Sequence, residues 1–383
     1  MPGPQDYDQS ALDNRPVNVA AQFLDRVKAS SSREAYRYPD GEDWKSLTWA
    51  ESGERVRNLA AGLLALGLAR EERVGIAAGT RYEWILSDLS VMCAGGATTT
   101  VYPSTNAEDT AYILSDSGCR FVYAENDEQI KKLHEHRSEL PQLEKVITYD
   151  GQTDGDWVIG LDDLAALGAK RIAEKPDEID AIAADVKGDA LATLIYTSGT
   201  TGKPKGVRLR HDSWTYEGAV IQAYGILTED DLQFLWLPLA HSFGKVLLTS
   251  QLAIGFPTAV DGRVDRIIDN LAIIKPTFMG AAPRIFEKAH GRIQTMTAAD
   301  GGAKEKIFTW AFGVGLKRAA LVQEGRSVPF LLNAQHGLAD RRVFSKVRQR
   351  FGGRVRFFIS GAAALNREIA EWFNAAGIVI LEG

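Results

Sequence analysis

Cysteine is almost missing from this sequence of 383 residues, which contains only Cys93 and Cys119. The two residues are far apart in the chain, and both have apolar neighbours. They provide neither a disulfide framework nor the close ligand spacing of a zinc site. We therefore predict two reduced thiols, as is usual in the cytoplasm.

Long hydrophobic runs are also missing. The most apolar helical run, residues 59–69, contains two glycines and is shorter than the roughly 20 apolar residues that a membrane-spanning helix needs. Residues 1–10 are polar and lack the apolar core of a signal peptide. The sequence thus predicts a cytoplasmic protein, and peripheral contact with the inner face of the membrane stays open.

The chain has no excess of positive charge. Lys and Arg number 44 against 50 Asp and Glu, which gives a formal net charge of −6. Proteins that bind nucleic acid present a basic face to its phosphates. The charge balance therefore argues against a nucleic-acid partner.

Short apolar runs alternate with amphipathic segments along most of the chain. The clearest helix is predicted at residues 48–66, where Thr48 and Glu51 have the spacing of a capping box and Gly67 follows. Strands are predicted at residues 74–78, 98–102, 120–124, 191–196, 205–210, 233–237, 256–260, 276–280, 355–360 and 378–382. Further helices are predicted at residues 82–92, 107–116, 127–134, 213–225, 243–253, 264–273, 283–291 and 365–376. This alternation indicates an α/β fold of mostly parallel sheets flanked by helices.

The pattern is interrupted in two places. Residues 150–187 are acidic and rich in Gly and Ala, which suggests a connection between subdomains at about 1–187 and 188–383 of one domain, residues 1–383. Residues 293–340 break the alternation and are predicted to form an inserted helical element. The last predicted strand runs into Gly383, and this suggests a truncated chain.

Residues 197–206 concentrate groups that bind phosphate. The segment joins two apolar strands and contains four hydroxyls, three glycines and two lysines. Glycines let backbone N–H groups approach an anion, while hydroxyls donate hydrogen bonds and lysines add positive charge. The alternative is a glycine- and threonine-rich hairpin without a ligand, but the density of donors favours a site for a nucleoside triphosphate.

Two commoner nucleotide-binding motifs do not fit. The phosphate loop G-x-x-x-x-G-K-S/T needs glycine where this chain has Thr197 and a hydroxyl residue where it has Pro204, and that loop opens a helix. No G-x-G-x-x-G follows the first predicted strands, so a Rossmann dehydrogenase lacks support.

The segment from Tyr196 to Val207, YTSGTTGKPKGV, resembles the phosphate-loop signature of the adenylate-forming superfamily. This superfamily comprises acyl-CoA synthetases, firefly-type luciferases and the adenylation domains of peptide synthetases. LPLAH at residues 237–241 resembles the segment that lines the carboxylate end of the substrate pocket. ISGAAAL at residues 359–365 resembles the adenine-packing segment, and LEG at residues 381–383 resembles the start of a motif that continues Tyr-Gly-x-Thr-Glu. The resemblance covers essentially the whole chain.

The resemblance implies a fold and a two-step reaction. The fold has two packed α/β subdomains and a small β-rich subdomain. A carboxylate attacks the α-phosphate of ATP, pyrophosphate leaves, and the thiol of CoA then displaces AMP from the acyl adenylate. Catalytic roles are implied for Lys205 and His241, and Thr197 would help to bind Mg²⁺. The implied nucleotide-binding residues are Thr197, Ser198, Gly199, Thr200, Thr201, Gly202, Lys205, Gly361, Ala362, Ala363, Glu382 and Gly383.

The chain departs from the family pattern in two ways. The adenine segment usually reads Ser-Gly-Gly-Ala-Pro-Leu, and here Ala362 and Ala364 replace the second Gly and the Pro. The family's Mg²⁺-binding Glu, ribose-binding Asp and C-terminal domain with its catalytic Lys would lie beyond Gly383. The resemblance therefore implies a chain that lacks its C-terminal domain and has little activity alone.

The expected substrates are a long-chain fatty acid, ATP and CoA. Pro-Leu-Ala-His followed by Lys245, together with the element at 293–340, resembles the long-chain fatty acid–CoA ligase branch. Alternatives are another carboxylate, a carrier protein as acceptor, or a nucleotide-binding fragment without turnover. The length of the acyl chain and the oligomeric state stay open.

Overall fold

The computed structural model describes residues 7–197 and 202–383. The chain divides into two compact units. The first unit comprises Met1–Asp230 and Trp236–Gly262, and the second unit comprises Asp231–Leu235 and Arg263–Gly383. Four predicted phosphate-loop residues, Ser198, Gly199, Thr200 and Thr201, lie outside the described residues.

Strands and helices alternate as the sequence predicts. The strands are β1 (Glu34–Asp40), β2 (Asp43–Thr48), β3 (Arg73–Ala77), β4 (Ala97–Val101), β5 (Cys119–Ala124), β6 (Lys145–Thr148), β7 (Val158–Gly160), β8 (Leu191–Thr197), β9 (Lys205–Arg210), β10 (Gln233–Leu235), β11 (Thr258–Val260), β12 (Phe278–Ala281), β13 (Phe357–Ser360) and β14 (Val379–Glu382). The α-helices are α1 (Gln9–Asp13), α2 (Val19–Ala29), α3 (Trp49–Ala65), α4 (Tyr82–Cys93), α5 (Ala107–Asp116), α6 (Asp127–Glu135), α7 (Leu161–Glu174), α8 (Glu178–Asp185), α9 (His211–Ala223), α10 (Ser242–Ile254), α11 (Ile267–Ile274), α12 (Pro283–Asp300), α13 (Gly302–Gln323), α14 (Phe330–Ala339), α15 (Ser345–Arg350) and α16 (Arg367–Ala375). Every predicted strand and helix has an observed counterpart.

The first unit is built on a seven-stranded sheet of order β7-β6-β5-β3-β4-β8-β9. Its strands pair in parallel, except that β8 and β9 form an antiparallel hairpin. Every residue of β4 is buried, as expected for a strand between two layers of helices. The carboxyl ends of β3, β4 and β8 share one edge of the sheet, where ligands of open α/β sheets bind.

The segment 150–187 is not the boundary between units that its composition suggested. It contains β7, α7 and α8, and β8 then returns to pair with β4 in the same sheet. Helix α7 packs directly on α3: a Cβ added to Gly168 would lie 1.7 Å from the backbone oxygen of Asn58. Gly168, which contributed to the resemblance to a linker, is therefore a residue that allows two helices to approach closely.

Two neighbouring strands of the first unit, β1 and β2, were not predicted. β1 pairs antiparallel with β2 and parallel with β11. Leu47 is the buried residue of β2, so an alternating pattern is hardly visible in the sequence. These strands belong to the first unit, and the described residues do not form a separate β-rich unit.

The second unit contains a parallel sheet of order β14-β13-β12-β10. Residues 293–340, where the sequence predicts an inserted helical element, contain the end of α12 with α13 and α14. A π-helical turn at Asp340–Phe344 follows. Helix α13 packs on α16, where the rings of Phe312 and Trp372 stack at a centroid distance of 4.4 Å.

Both cysteines are buried free thiols. Burial raises the pKa of Cys93 to about 12 and raises the pKa of Cys119 as well. Because the thiolate is the reactive form, neither side chain is a candidate nucleophile. No helix in the described part of the chain is long and apolar enough to cross a membrane.

Candidate functional site

The β8–β9 hairpin carries the predicted phosphate loop. Thr197 and Lys205 are partners in register at the end of the hairpin next to the connecting loop, and both are exposed. Gly202 has a φ of +105°, which residues with a side chain rarely adopt. No atom lies within 4 Å of a Cβ added at this position. The hairpin thus brings together the hydroxyl and the lysine that the sequence predicted to act together.

Aromatic residues pack near the connecting loop of this hairpin. Tyr196 donates a 2.6 Å hydrogen bond from its hydroxyl to the Asp116 carboxylate, and burial followed by this contact raises the pKa of Tyr196. A Cβ added to Gly206 would lie 3.0 Å from the Tyr196 ring. Lys203 Nζ lies 4.7 Å from the centroid of the Tyr112 ring. Lys203, in the loop, therefore makes a cation–π contact with Tyr112, whereas Lys205 lies opposite Thr197.

Two threonines of the first unit hold the segment that precedes His241. The Thr80 hydroxyl donates to the Leu237 carbonyl at 2.8 Å. The Thr100 hydroxyl lies 3.2 Å from the Ala240 carbonyl and 3.3 Å from the Leu194 carbonyl of β8. Thr100 therefore joins the strand that leads into the phosphate loop to the segment that ends at His241.

His241 caps the N-terminus of α10 with its side chain. Its Nδ1 accepts a 3.2 Å hydrogen bond from the Phe243 N–H, and the residue is exposed. In a neutral imidazole one nitrogen accepts and the other carries the proton. The contact at Nδ1 therefore leaves Nε2–H available to donate a hydrogen bond to a ligand.

The first turn of α10 contains a glycine that packs closely on the preceding segment. A Cβ added to Gly244 would lie 2.4 Å from the Pro238 carbonyl oxygen. Larger residues at this position would move the first turn of α10 away from residues 237–240. The position of His241 thus depends on backbone packing as well as on its own cap.

The predicted adenine segments come together in the second unit. Strands β13 and β14 are parallel neighbours, with Ser360 opposite Glu382. Glu382 accepts a 3.1 Å hydrogen bond from the Leu365 N–H, and the Gly383 N–H donates to the Ser360 carbonyl at 2.9 Å. Gly361 is buried, whereas Ala362 and Ala363 are exposed. These residues lie at the carboxyl ends of two parallel strands, the usual place for a ligand of such a sheet.

Three buried residues beside the site had no predicted role. Lys245 forms an ion pair with Asp88, and Thr193 contacts the same ammonium group. The sequence carried a weak signal, since Asp88 and Lys245 are charges within the apolar helices α4 and α10. Nothing in the spacing of the two residues could have paired them.

Comparison with known proteins identifies the family. A family model described as AMP-binding enzyme matches residues 23–383. This chain belongs to the AMP-binding enzyme family. The predicted resemblance to adenylate-forming enzymes is thereby confirmed.

Two relatives match most of this chain at about 30% identity. The long-chain-fatty-acid–CoA ligase FadD15 of Mycobacterium bovis is 32% identical over 373 residues, which are 96% of this chain and 60% of FadD15. The long-chain-fatty-acid–CoA ligase ACSBG2 of Homo sapiens is 30% identical over 376 residues, 96% of this chain and 55% of that protein. The chain therefore spans less than two thirds of the length of these relatives.

Solved structures of adenylate-forming enzymes share the fold. The adenylation domain of a carboxylate reductase from Mycobacterium chelonae superposes with a TM-score of 0.71 at 17% identity, covering 98% of this chain and 59% of that one. The anthranilate CoA ligase AuaEII, in complex with anthranoyl-AMP, gives a TM-score of 0.68 at 19% identity. The match covers 97% of this chain and 60% of AuaEII. At these identities the likeness supports the α/β architecture and not a particular substrate.

Proposed function

We propose that this chain provides the ATP- and acid-binding part of an enzyme that activates a long-chain fatty acid to acyl-AMP and then to acyl-CoA. The observation that carries the proposal is the β8–β9 hairpin, which sets Thr197 opposite Lys205 in the unit that also contains His241. The curated relatives named long-chain-fatty-acid–CoA ligases support the class of acid. Because the chain spans only part of those relatives, the complete reaction belongs to the proposal.

In the first step negative charge accumulates around the α-phosphate as the carboxylate attacks, so catalysis depends on positioning and charge stabilisation. We assign Lys205, Thr197 and residues 198–202 to the β- and γ-phosphates. His241 donates from Nε2 to the fatty acid carboxylate or to the acyl phosphate.

The purine is assigned to Gly361, Ala362 and Ala363, with Glu382 and Gly383 beside them. Mg²⁺ in phosphate-transfer sites keeps several waters and is bound by few protein groups besides the substrate phosphates. In this proposal it enters with ATP, and the Thr197 hydroxyl supplies one ligand. No group of three or more His, Cys, Asp or Glu in residues 7–197 and 202–383 is arranged to hold a metal ion.

A second candidate is activation of another carboxylate, or transfer of the acyl group to a carrier protein. It is favoured by the structures that share the fold, which include an anthranilate CoA ligase and the adenylation domain of a carboxylate reductase. The acid and the acceptor must therefore be decided by experiment.

Peripheral contact with a membrane surface is a further part of the proposal. Phe330 and Leu331 at the start of α14 are 89% and 68% exposed, and Leu338 on the same helix is 51% exposed. Residues 302–350 contain ten Lys and Arg against three Asp and Glu, in a chain of net charge −6. An apolar and basic helical surface fits the interface of an anionic membrane.

The decisive experiment measures thermal unfolding with non-hydrolysable acyl adenylates of increasing chain length. A ligand at 100 times its Kd should add about 2.7 kcal/mol to the free energy of unfolding. Each additional buried methylene contributes about 0.8 kcal/mol to binding. We expect stabilisation by ATP and by adenylates, growing with acyl length, and none by NADH.

The Lys205→Met variant should lose most of the stabilisation by ATP, because a positive charge beside the triphosphate is removed. Lys170→Met is the matched control, since Lys170 is an exposed lysine of α7 in the same unit. A flat response of the unmodified chain to ATP and to every adenylate would refute the proposal. Stabilisation by aryl but not by fatty acyl adenylates would select the second candidate.

A further inference from the structure

An ion pair is buried in the interior of the first unit. Lys245 on α10 and Asp88 on α4 have side chains that are 3% and 1% exposed. The Lys245 ammonium lies 2.8 Å from both carboxylate oxygens of Asp88. Neither residue was needed to explain the predicted phosphate loop.

Thr193 on β8 completes this arrangement. Its hydroxyl oxygen lies 3.3 Å from Lys245 Nζ and accepts a 3.1 Å hydrogen bond from the Trp214 indole N–H. The rings of Trp84 and Trp214 lie 5.7 and 5.3 Å from the ammonium. An ammonium group has three N–H donors, and here each has an oxygen partner.

The ion pair is attached to both parts of the candidate site. Along β8, Thr193 is followed by the residues that lead to Thr197 at the start of the phosphate loop. On α10, the backbone N–H of Lys245 donates to the His241 carbonyl at 3.3 Å, so the two residues share the first helical turn. One buried contact therefore joins the strand of the loop to the helix of the histidine.

The buried imidazole of His211 is affected by the positive charge of Lys245. His211 is buried beside it, and its Nδ1 accepts a hydrogen bond from the Val19 N–H. Burial, followed by the positive charge of Lys245, lowers the pKa of His211 to about 4. The imidazole is thus neutral near pH 7 and adds no second positive charge next to Lys245.

Stability alone does not account for a buried ion pair. Removing two charges from water is costly, and hydrophobic residues of similar volume are often as stable or more stable. Charged hydrogen bonds, however, fix the direction and distance of the elements they join.

We propose that Lys245 and Asp88 are positioning residues that hold β8 and α10 in one arrangement, so that the Thr197 hairpin and His241 act on the same ligand. This proposal rests on the proposed function. Misplacement of groups at an active site by about 1 Å can lower reaction rates by about a hundredfold. The relative position of the Thr197 hairpin and His241 is therefore important for the reaction.

The test uses the Asp88→Asn, Lys245→Met double variant, which removes both charges and keeps the side-chain volumes. Calorimetry would measure the Kd of ATP, of a non-hydrolysable fatty acyl adenylate and of adenosine. We expect about tenfold weaker binding of ATP and of the adenylate, a loss of about 1.4 kcal/mol, and unchanged binding of adenosine. A general loss of structure would weaken all three ligands.

The matched control is Arg57→Met, which breaks the half-exposed ion pair between Arg57 on α3 and Asp180 on α8 in the same unit. It should leave all three affinities unchanged. If the double variant does not fold, the isosteric Thr193→Val replaces it, because that change removes one oxygen partner of the ammonium and should weaken ATP and the adenylate selectively.

Unchanged ATP and adenylate affinities in a folded double variant would overturn the positioning role. So would an equal loss in Arg57→Met. Absence of ATP and adenylate binding in the unmodified chain is a different result: it would refute the proposed function, and the positioning role would fail with it.

Discussion

At the scale of single residues, Ala362 adopts a backbone conformation that favours glycine. Its φ is +71°, in the left-handed region, which costs a residue with a Cβ about 1 kcal/mol or more. The family pattern that this segment resembles has glycine at this position, and alanine in the same backbone conformation adds strain. Backbone strain is concentrated at binding sites, and here it lies in the segment assigned to the purine.

We expect Ala362→Gly to raise the free energy of unfolding, by up to about 1 kcal/mol, because relief of strain exceeds the added entropy of the unfolded chain. Its neighbour Ala363 has no left-handed φ. Ala363→Gly should therefore lower the free energy by about 0.4–1 kcal/mol. Urea unfolding of both variants measures the difference, and equal destabilisation by the two changes would contradict the assignment of strain.

At the scale of elements, the contact between α3 and α7 is made by glycines. A Cβ on Gly168 would lie 1.7 Å from the Asn58 carbonyl oxygen, and one on Gly62 would lie 2.3 Å from the Leu164 carbonyl oxygen. Both oxygens are backbone atoms, which cannot move without shifting a helix. Close approach of these helices therefore requires residues without a side chain.

We expect Gly168→Ala to lower the free energy of unfolding by about 3 kcal/mol, at the upper end of the usual cost of overpacking. Gly313→Ala on α13 is the matched control: the position is exposed, and no atom lies within 4 Å of the added Cβ. There the change should stabilise the protein by about 0.5–1 kcal/mol, because alanine favours the helix. Thermal and urea unfolding would show changes of opposite sign in the free energy of unfolding of the two variants. Equal changes would contradict the packing argument.

Elements with local signals were predictable from the sequence. The capping box of α3 is confirmed, with the Glu51 carboxylate accepting from the Thr48 N–H at 2.7 Å and Gly67 at a φ of +91° after the helix. Helix α7 was missed because its one glycine, Gly168, serves a contact with α3, and a contact between distant segments leaves no local pattern. The hairpin that carries Thr197 and Lys205 was predicted, whereas the Lys245–Asp88 pair depends on packing and was not.

At the scale of the whole molecule, charge is unevenly distributed along the chain. Residues 302–350 have a net charge of +7, although the whole chain has a net charge of −6. The same residues include α14 with its exposed Phe330 and Leu331. Positive charge near an anionic membrane contributes about 1 kcal/mol for each Lys or Arg close to the surface, and exposed aromatic and aliphatic side chains add apolar contact.

We expect the chain to sediment with vesicles that contain anionic lipid, and to do so less as salt is raised, since screening weakens the attraction. A Phe330→Ser, Leu331→Ser double variant should lose most of this binding. Val17→Ser is the control, because Val17 is 62% exposed but lies in the first unit, outside the basic segment. Two results would exclude the surface of α14 as the membrane contact: equal sedimentation with neutral vesicles, or unchanged binding of the double variant. A protein partner would then have to explain this combination of charge and exposed apolar side chains.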